Sequence, residues 1–278
     1  SRGLGDVYKR QEQPTASTPS PNRVALDQGR ERMRPNFFLR LLELADTHEP
    51  LVFDARHVFV FFSREQEQVD RLWNMVVQRL SFDMTNPVMT VRLHLLALLL
   101  TSDRIQPKLP WPTLPHIARN LVTAMEQAPP HKDETETVWL SSALLSLCGI
   151  LSASEWSEGY AAVPGDATER TAFLDEMRPM LLTLMLRILE HSSQLSDGSL
   201  LGVARMLVLL TRDPRTAASM VEQRALPLVL RPLLTRRRFQ RASYQRLVII
   251  VLRHMVESGG SLLPCLLYTS PSPRDQRG

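Results

Sequence analysis

The chain has 278 residues, 44% hydrophobic but only 6% aromatic, with 11 glycines and two cysteines. That balance excludes a disordered chain and a disulfide framework, and it favours helices over a sandwich or barrel built from β-branched and aromatic strands. The formal net charge of +4 comes largely from the two ends, so no nucleic-acid reading rests on it; the longest apolar run, Leu93 to Leu100, is far too short to span a membrane.

Residues 1–11 and 265–278 resemble translated transposase-adapter DNA. Asp6 to Gln11 can be coded GAT GTG TAT AAG AGA CAG. The reverse complement of that string, read one base out of frame, encodes Cys-Leu-Leu-Tyr-Thr and opens a Ser codon, matching Cys265 to Ser270. Two unrelated protein tails would rarely encode each other's complement. Segments of this kind are set aside before fold reasoning. The expectation is that residues 12–264 are an internal piece of a longer protein and that Cys265 is artefactual, leaving Cys148. Setting both ends aside removes five basic and two acidic residues and leaves a net of +1.

Residues 12–34, with Pro14, Thr15, Ser17, Thr18, Pro19, Ser20 and Pro21, are expected to be a disordered linker, because they cannot bury enough apolar area to fold. A helical scaffold is expected over residues 35–264. Asn36 can cap a first helix carrying Phe37, Phe38, Leu41, Leu42 and Ala45. Leu51 to Phe62 follows, in which Val58 to Phe62 could be a strand by propensity. Ser63 and Gln66 have the spacing of a capping box. Val69, Leu72, Trp73, Val76, Val77 and Leu80 then form one apolar helical stripe.

Asn86-Pro87 combines a cap with a proline at the first helical position and opens Val88 to Leu100. Pro107 to Pro115 reads as a loop, after which a helix carries Ile117, Ala118, Leu121, Val122 and Met125 until Pro129-Pro130. Asp133, Glu134 and Glu136 sit at the mouth of the next helix, where its dipole favours them; Leu140, Leu144, Leu147 and Leu151 mark that helix. Ser152 to Thr171 reads as a polar insertion. Phe173 to Leu189 resumes the stripe, with a break expected at Pro179. Ser196-Asp197 caps Leu200 to Leu210, Asp213-Pro214 opens a short helix to Gln223, and Leu226 to Leu234 and Tyr244 to Val256 complete the series.

About ten helices of roughly 10–18 residues without strand alternation make either a bundle or a solenoid. Leu93 to Leu100 and Leu200 to Leu210 are apolar on more than one face, as inner helices buried between neighbours are. The expected fold is therefore all-α, an armadillo/HEAT-like helical repeat solenoid.

No reactive constellation stands out. His48, His57, His94, His116, His131, His191 and His254 form no His-Glu-x-x-His pair, and one usable cysteine cannot complete a structural zinc site. Cys148 lies in the apolar run Leu144 to Ile150, which raises a thiol pKa and favours a packed small hydrophobe over a nucleophile. There is no Gly-x-Ser-x-Gly, phosphate-cradling loop or dinucleotide fingerprint. No catalytic, cofactor-binding or metal-ligating residue is expected, and no cofactor. Arg231, Arg236, Arg237, Arg238, Arg241, Arg246 and Arg253 form a basic cluster; Arg236, Arg237, Arg238, Arg241 and Arg246 are its candidate interaction patch. It could meet phosphate, nucleic acid or an acidic partner, although only Phe239 and Tyr244 could stack on bases. A solvated loop and helix face is the plainer account.

The segment Leu207-Val208-Leu209-Leu210-Thr211-Arg212-Asp213-Pro214, then Ala217-Ala218, Leu226 to Leu234, Phe239, and Leu247 through Arg253-His254-Met255-Val256-Glu257 resembles a stretch of the giant HECT-type ubiquitin ligases. These are very large ring-forming ligases, called Mule in animals, with relatives in fungi and plants (the UPL-like group). In that family a Leu-Thr-Arg helix end precedes a short helix, and a small hairpin leads to an apolar helix ending Arg-His-x-x-Glu. Phe53 to Leu80, Val91 to Leu100 and Val138 to Leu151 fit the same stretch more weakly. The family's Gly-Gly before the penultimate helix is Arg224-Ala225 here, and the Asp-Pro after the last motif is Ser258-Gly259.

The resemblance implies an armadillo-like, non-catalytic scaffold region of a protein that passes ubiquitin through a C-terminal HECT cysteine, absent here, to substrate lysines. The partners it implies are protein substrates and other parts of the parent ligase, with the ubiquitin-carrier enzyme meeting only the HECT domain. The expected location is cytoplasmic or nuclear; the short apolar runs give no reason to expect a membrane partner, and the sparse stacking residues leave nucleic acid the less favoured partner. Arg253 and His254 would be structural, bonding helix-end carbonyls and complementing the dipole. The alternatives are a generic armadillo/HEAT adaptor and a small helical enzyme, the latter disfavoured by the missing motifs.

Overall fold

The computed structural model describes residues 37–63, 65–127, 139–155, 166–235 and 241–258. Both end segments, the expected linker, and Asp133, Glu134 and Glu136 lie outside them. Eleven α-helices are described: α1 (Phe37–Thr47), α2 (Leu51–Phe62), α3 (Gln66–Gln78), α4 (Pro87–Leu100), α5 (Thr113–Gln127), α6 (Trp139–Glu155), α7 (Asp166–Glu190), α8 (Asp197–Thr211), α9 (Pro214–Glu222), α10 (Leu226–Thr235) and α11 (Arg241–Glu257). A short 3-10 turn, Gln106–Lys108, interrupts the proline-studded loop before α5. No strand occurs among the described residues.

Several helix starts are set by the local chemistry that the sequence advertises. The Asn86 side chain accepts from the Val88 amide at 3.0 Å, with Pro87 occupying the position whose missing N–H costs nothing. Ser196 accepts from Ser199 N at 3.0 Å and Asp213 from Thr216 N at 2.9 Å. The helices then stack in two layers. In the inner layer α4 packs against α2 and α6, α6 against α8, and α8 against α11. In the outer layer α5 and α7 cover α6, α7 also lies on α8, and α9 and α10 close over α8, α7 and α11. This layered succession, each helix meeting only near neighbours, is that of a helical repeat solenoid.

The inner helices run parallel, because their contacts advance together. Leu93 pairs with Ser146 and Leu100 with Gly149 across the α4–α6 seam; Ser141 meets Gly198 and Leu144 meets Gly202 across α6–α8. Small residues hold these seams close. A Cβ on Gly149 would lie 2.6 Å from Leu100 Cβ, and one on Gly202 would lie 3.0 Å from Leu144 Cβ. The Ser146 hydroxyl, fully buried, hydrogen-bonds at 2.9 Å to the Ser142 carbonyl of its own helix and lies 3.2 Å from the Leu93 carbonyl of α4. With both flanks covered, α4 buries Met89, Val91, Leu93, Leu95, Leu96, Leu99 and Leu100. That is why its sequence carries no single apolar stripe.

Three local expectations are corrected. Val58 to Phe62 is helical, not extended. Val52, Ala55 and Phe59 fall at helical spacing and are fully buried, and Phe38 packs on Phe59 and Phe62 at ring centroid distances of 5.6 and 6.4 Å, so tertiary burial overrides β-propensity. The Ser63–Gln66 capping box does not form. Ser63 instead ends α2, its N–H bonding Phe59 O and its buried hydroxyl finding no partner among the described residues, while Glu65 takes the N-cap of α3 and Gln66 reaches Asp70 and the Lys108 carbonyl. Finally, α7 runs unbroken through Pro179. Met177 and Leu181 are buried on one side, whereas Asp175 and Pro179 face solvent, so water can satisfy the carbonyl that the proline leaves unpaired. The polar insertion is also shorter than its composition suggests, since α6 extends to Glu155 and α7 begins at Asp166.

Replacing Gly149 by Ala sets two effects against each other. Helix propensity favours Ala by about 1 kcal/mol, while overpacking in a tight seam costs about 1–3 kcal/mol. At 2.6 Å from a Cβ that is itself fixed by backbone, overpacking is expected to win. A urea unfolding midpoint lower than that of the parent chain is the expected result; a raised midpoint would mean that α4 and α6 are not this close.

Candidate interaction surface

The basic cluster is only partly brought together. Arg236, Arg237 and Arg238 lie outside the described residues, and Arg241 opens α11 with its side chain outside them. Arg231 donates from Nη1 to the Glu190 carbonyl at 3.2 Å, tying α10 to the end of α7. Arg253 pairs with Glu257 one turn on, at 2.6 Å, which holds its guanidinium pKa above the ordinary value. Arg246 is exposed and has no ion pair among the described residues.

The histidines described are dispersed. His48 Nδ1 lies 2.8 Å from Thr47 Oγ1, His116 Nε2 lies 3.0 Å from Asn120 Nδ2, and His94 stands edge-on to the Phe53 ring at 5.0 Å. His131 lies outside the described residues. No group of three His, Cys, Asp or Glu side chains able to hold a metal ion occurs among the described residues. Cys148 keeps part of its surface accessible on α6, yet burial of the sulfur among apolar neighbours pushes its thiol up to about 12, with nearby Arg205 opposing weakly.

Two polar knots fasten the layers. Asp46 of α1 receives Arg79 from the end of α3 and Arg92 of α4, whose Nη2 is 2.9 Å away. Glu155, at the end of α6, receives Arg212 at 2.9 Å and Arg178 at 3.5 Å. Beside it, burial would raise the Asp213 carboxyl, but the Thr216 hydroxyl and amide, with Arg178 and Arg215, hold it below the usual carboxylate range. Glu155, Arg178 and Arg212 join α6, α7 and α8. Thr211 Oγ1, which donates to Leu207 O at 2.8 Å, also lies 2.9 Å from His254 Nδ1, joining α8 to α11. The Arg-His pair near the C-terminus of α11 therefore does divide as structural residues, but Arg253 bonds Glu257 and His254 bonds Thr211, not carbonyls at the end of α11.

Each inner helix keeps some half-covered or exposed residues, which the sequence analysis did not single out. On α4 these include His94 and Leu98, and on α6 Ser141, Leu145, Cys148 and Ser152. On α8 they include Leu201, Arg205 and Val208, and on α11 Arg246 and Ile250. The spacing within each row is three or four residues, one helical face. The rows of α6 and α8 are adjacent: Ser141 abuts Gly198, and Arg205 acts electrostatically on Cys148. A signal existed in the one half-covered residue per turn within otherwise buried helices, but only the seam contacts reveal that the rows of α6 and α8 lie side by side.

Two measurements follow from these environments. Cys148 is expected to resist maleimide at pH 8 in the folded chain and to react after guanidinium unfolding, as followed by mass spectrometry of its peptide; ready labelling of folded protein would contradict the raised thiol. His254 and His94 are both held below the ordinary imidazole value, chiefly by burial, with Arg212 and Arg253 adding for His254 and Glu257 and Glu49 opposing. The unfolded chain, with histidine near pH ~6.5, then binds more protons than the folded one. Their contribution is full above that pH and is lost as pH falls below it through the folded values. The thermal midpoint is expected to decline between about pH 7 and pH 5, before the carboxylates titrate, and the double substitution His94→Phe, His254→Asn should flatten the decline. A flat profile in the parent chain would remove this linkage.

Comparison with protein-family models, curated proteins and solved structures gave no match.

Proposed function

We propose that this chain is a non-catalytic scaffold and substrate-presenting region of a HECT-type ubiquitin ligase, working in the cytoplasm or nucleus. The observation that carries the reading is the resemblance of Leu207 to Glu257 to the family's Leu-Thr-Arg and Arg-His-x-x-Glu block. In this fold that block is α8 to α11, and the two motifs meet, through the Thr211–His254 hydrogen bond.

A second feature is in keeping with it. Arg224 has φ 52°, and the Ala225 and Arg224 amides bond the Met220 and Val221 carbonyls. That is a helix end of the Schellman type, whose left-handed residue is most often glycine. The family's Gly-Gly falls at this position, and Arg224 adopts the same backbone at a cost of about 1–2 kcal/mol. In this reading, ubiquitin transfer belongs to a HECT cysteine elsewhere in the parent protein, and the present helices hold substrates or other parts of the ligase in place.

Sequencing the full transcript tests the assignment. A reading frame continuing into a HECT domain is expected. A gene that stops soon after Pro264 without one would overturn the ligase reading and leave the armadillo/HEAT adaptor in its place.

A further inference from the structure

We propose that Ser243, in the first turn of α11, is a phosphorylation site for a serine/threonine kinase that selects arginine-rich substrates, and that its phosphate fastens the start of α11 through Arg246. The inference rests on α11 and the sequence before it and not on the ligase assignment.

Three observations point to this residue. The first is charge. Between Glu222 and Glu257 the sequence holds eight arginines and no aspartate or glutamate. Four of them, Arg236, Arg237, Arg238 and Arg241, fall within the seven residues that precede Ser243. Kinases discriminate among substrates by such charge patterns, and an acidic substrate groove complements an arginine run.

The second is place. Helix α11 begins at Arg241, so Ser243 is its third residue, and its side chain is exposed. The N–H groups of a first turn lack partners within the helix, and helix ends fray. The hydroxyl can therefore enter a kinase active site without loss of the whole helix. The next residue, Tyr244, is buried and donates from its hydroxyl to the Val229 carbonyl at 2.9 Å, which ties α11 to α10.

The third is a destination for the phosphate. Arg246 lies one turn on from Ser243, exposed and without an ion pair among the described residues, whereas Arg253 is already held by Glu257. Residues three apart on a helix are neighbours. Phosphoserine carries about −1.5 to −2 charges near neutral pH and three acceptor oxygens. In a first turn it complements the helix dipole, and a guanidinium can hold it through two parallel hydrogen bonds. In the transfer, Ser243 Oγ attacks the γ-phosphorus of ATP. The new Oγ–P bond replaces the bridging O–P bond, ADP leaves with the bonding pair, and the hydroxyl proton passes to the kinase's catalytic aspartate.

Ser81 supplies the contrast. It too is exposed, with Arg79 two residues before it, but Arg79 is the one arginine in the seven preceding residues and its guanidinium is engaged by Asp46.

The test incubates the 278-residue chain with ATP and the catalytic subunit of an arginine-directed serine/threonine kinase, and follows each peptide by mass spectrometry. Ser243 is expected to gain phosphate about tenfold faster than Ser81, and Arg241→Ala should slow it by a similar factor. A synthetic peptide of residues 234–250 is run beside the folded chain and is expected to be modified as well. The thermal midpoint, followed by circular dichroism, should rise on phosphorylation; Ser243→Ala should show no rise, and Arg246→Ala, checked for folding by the same melts, should lose most of it. A peptide the kinase ignores, modification of the peptide but not of the folded chain, equal rates at Ser243 and Ser81, indifference to Arg241→Ala, or a midpoint that the phosphate leaves unmoved or lowers would each overturn the proposal.

Discussion

Helices α4, α6 and α8 must bury apolar side chains on both flanks at once, and small residues in their seams are what make this possible. Gly149 brings α6 down onto Leu100, Gly202 brings α8 onto Leu144, and Ser146 fills its place with a hydroxyl that bonds within α6 and lies beside the α4 backbone. Each buried leucine contributes about 1.5–3 kcal/mol relative to exposure, but only if the facing helix is near enough to exclude water and make contact. A seam opened by one bulky side chain would weaken every leucine along it. The outer helices, the polar knots and the solvent-facing rows all take their positions from this spacing.

Electrostatics has a narrower role. Asp46 with Arg79 and Arg92, and Glu155 with Arg178 and Arg212, each bind three elements through one carboxylate. Partly buried pairs of this sort contribute little net energy once desolvation is charged against them, though breaking one partner is costly. Their value here is positional: they fix where α1, α3 and α4 meet, and where α6, α7 and α8 meet. Thr211 with His254 does the same for α8 and α11 without a formal charge.

Much of this was legible in the residues. The caps at Asn86, Ser196 and Asp213 are local chemistry, so reading them needs no knowledge of neighbours, and the all-round apolar runs of α4 and α8 pointed to helices covered on both sides. What failed, failed for tertiary reasons. Val58 to Phe62 looks like a strand until Phe38 and the buried spacing of Val52, Ala55 and Phe59 are known. Ser63 has the right spacing for a cap but is held by the end of α2. Pro179 breaks a helix only when the unpaired carbonyl has nowhere to go, and Asp175 lies at the surface. The basic cluster was visible as a run of arginines, yet Arg205, which lies before that run in the chain, became notable only when α6 and α8 were seen side by side.

The spacing of the inner layer also divides the chain into two populations under selection. Positions in the seams, such as Gly149, Ser146 and Gly202, have almost no acceptable replacements, because any change in size moves a whole repeat. Positions one helical step away, such as the half-covered Leu145 and the exposed Arg205, are less constrained by the architecture. A lineage could therefore rewrite these positions while leaving the stack untouched, and the rate of change along α6 and α8 would alternate with the turn of the helix.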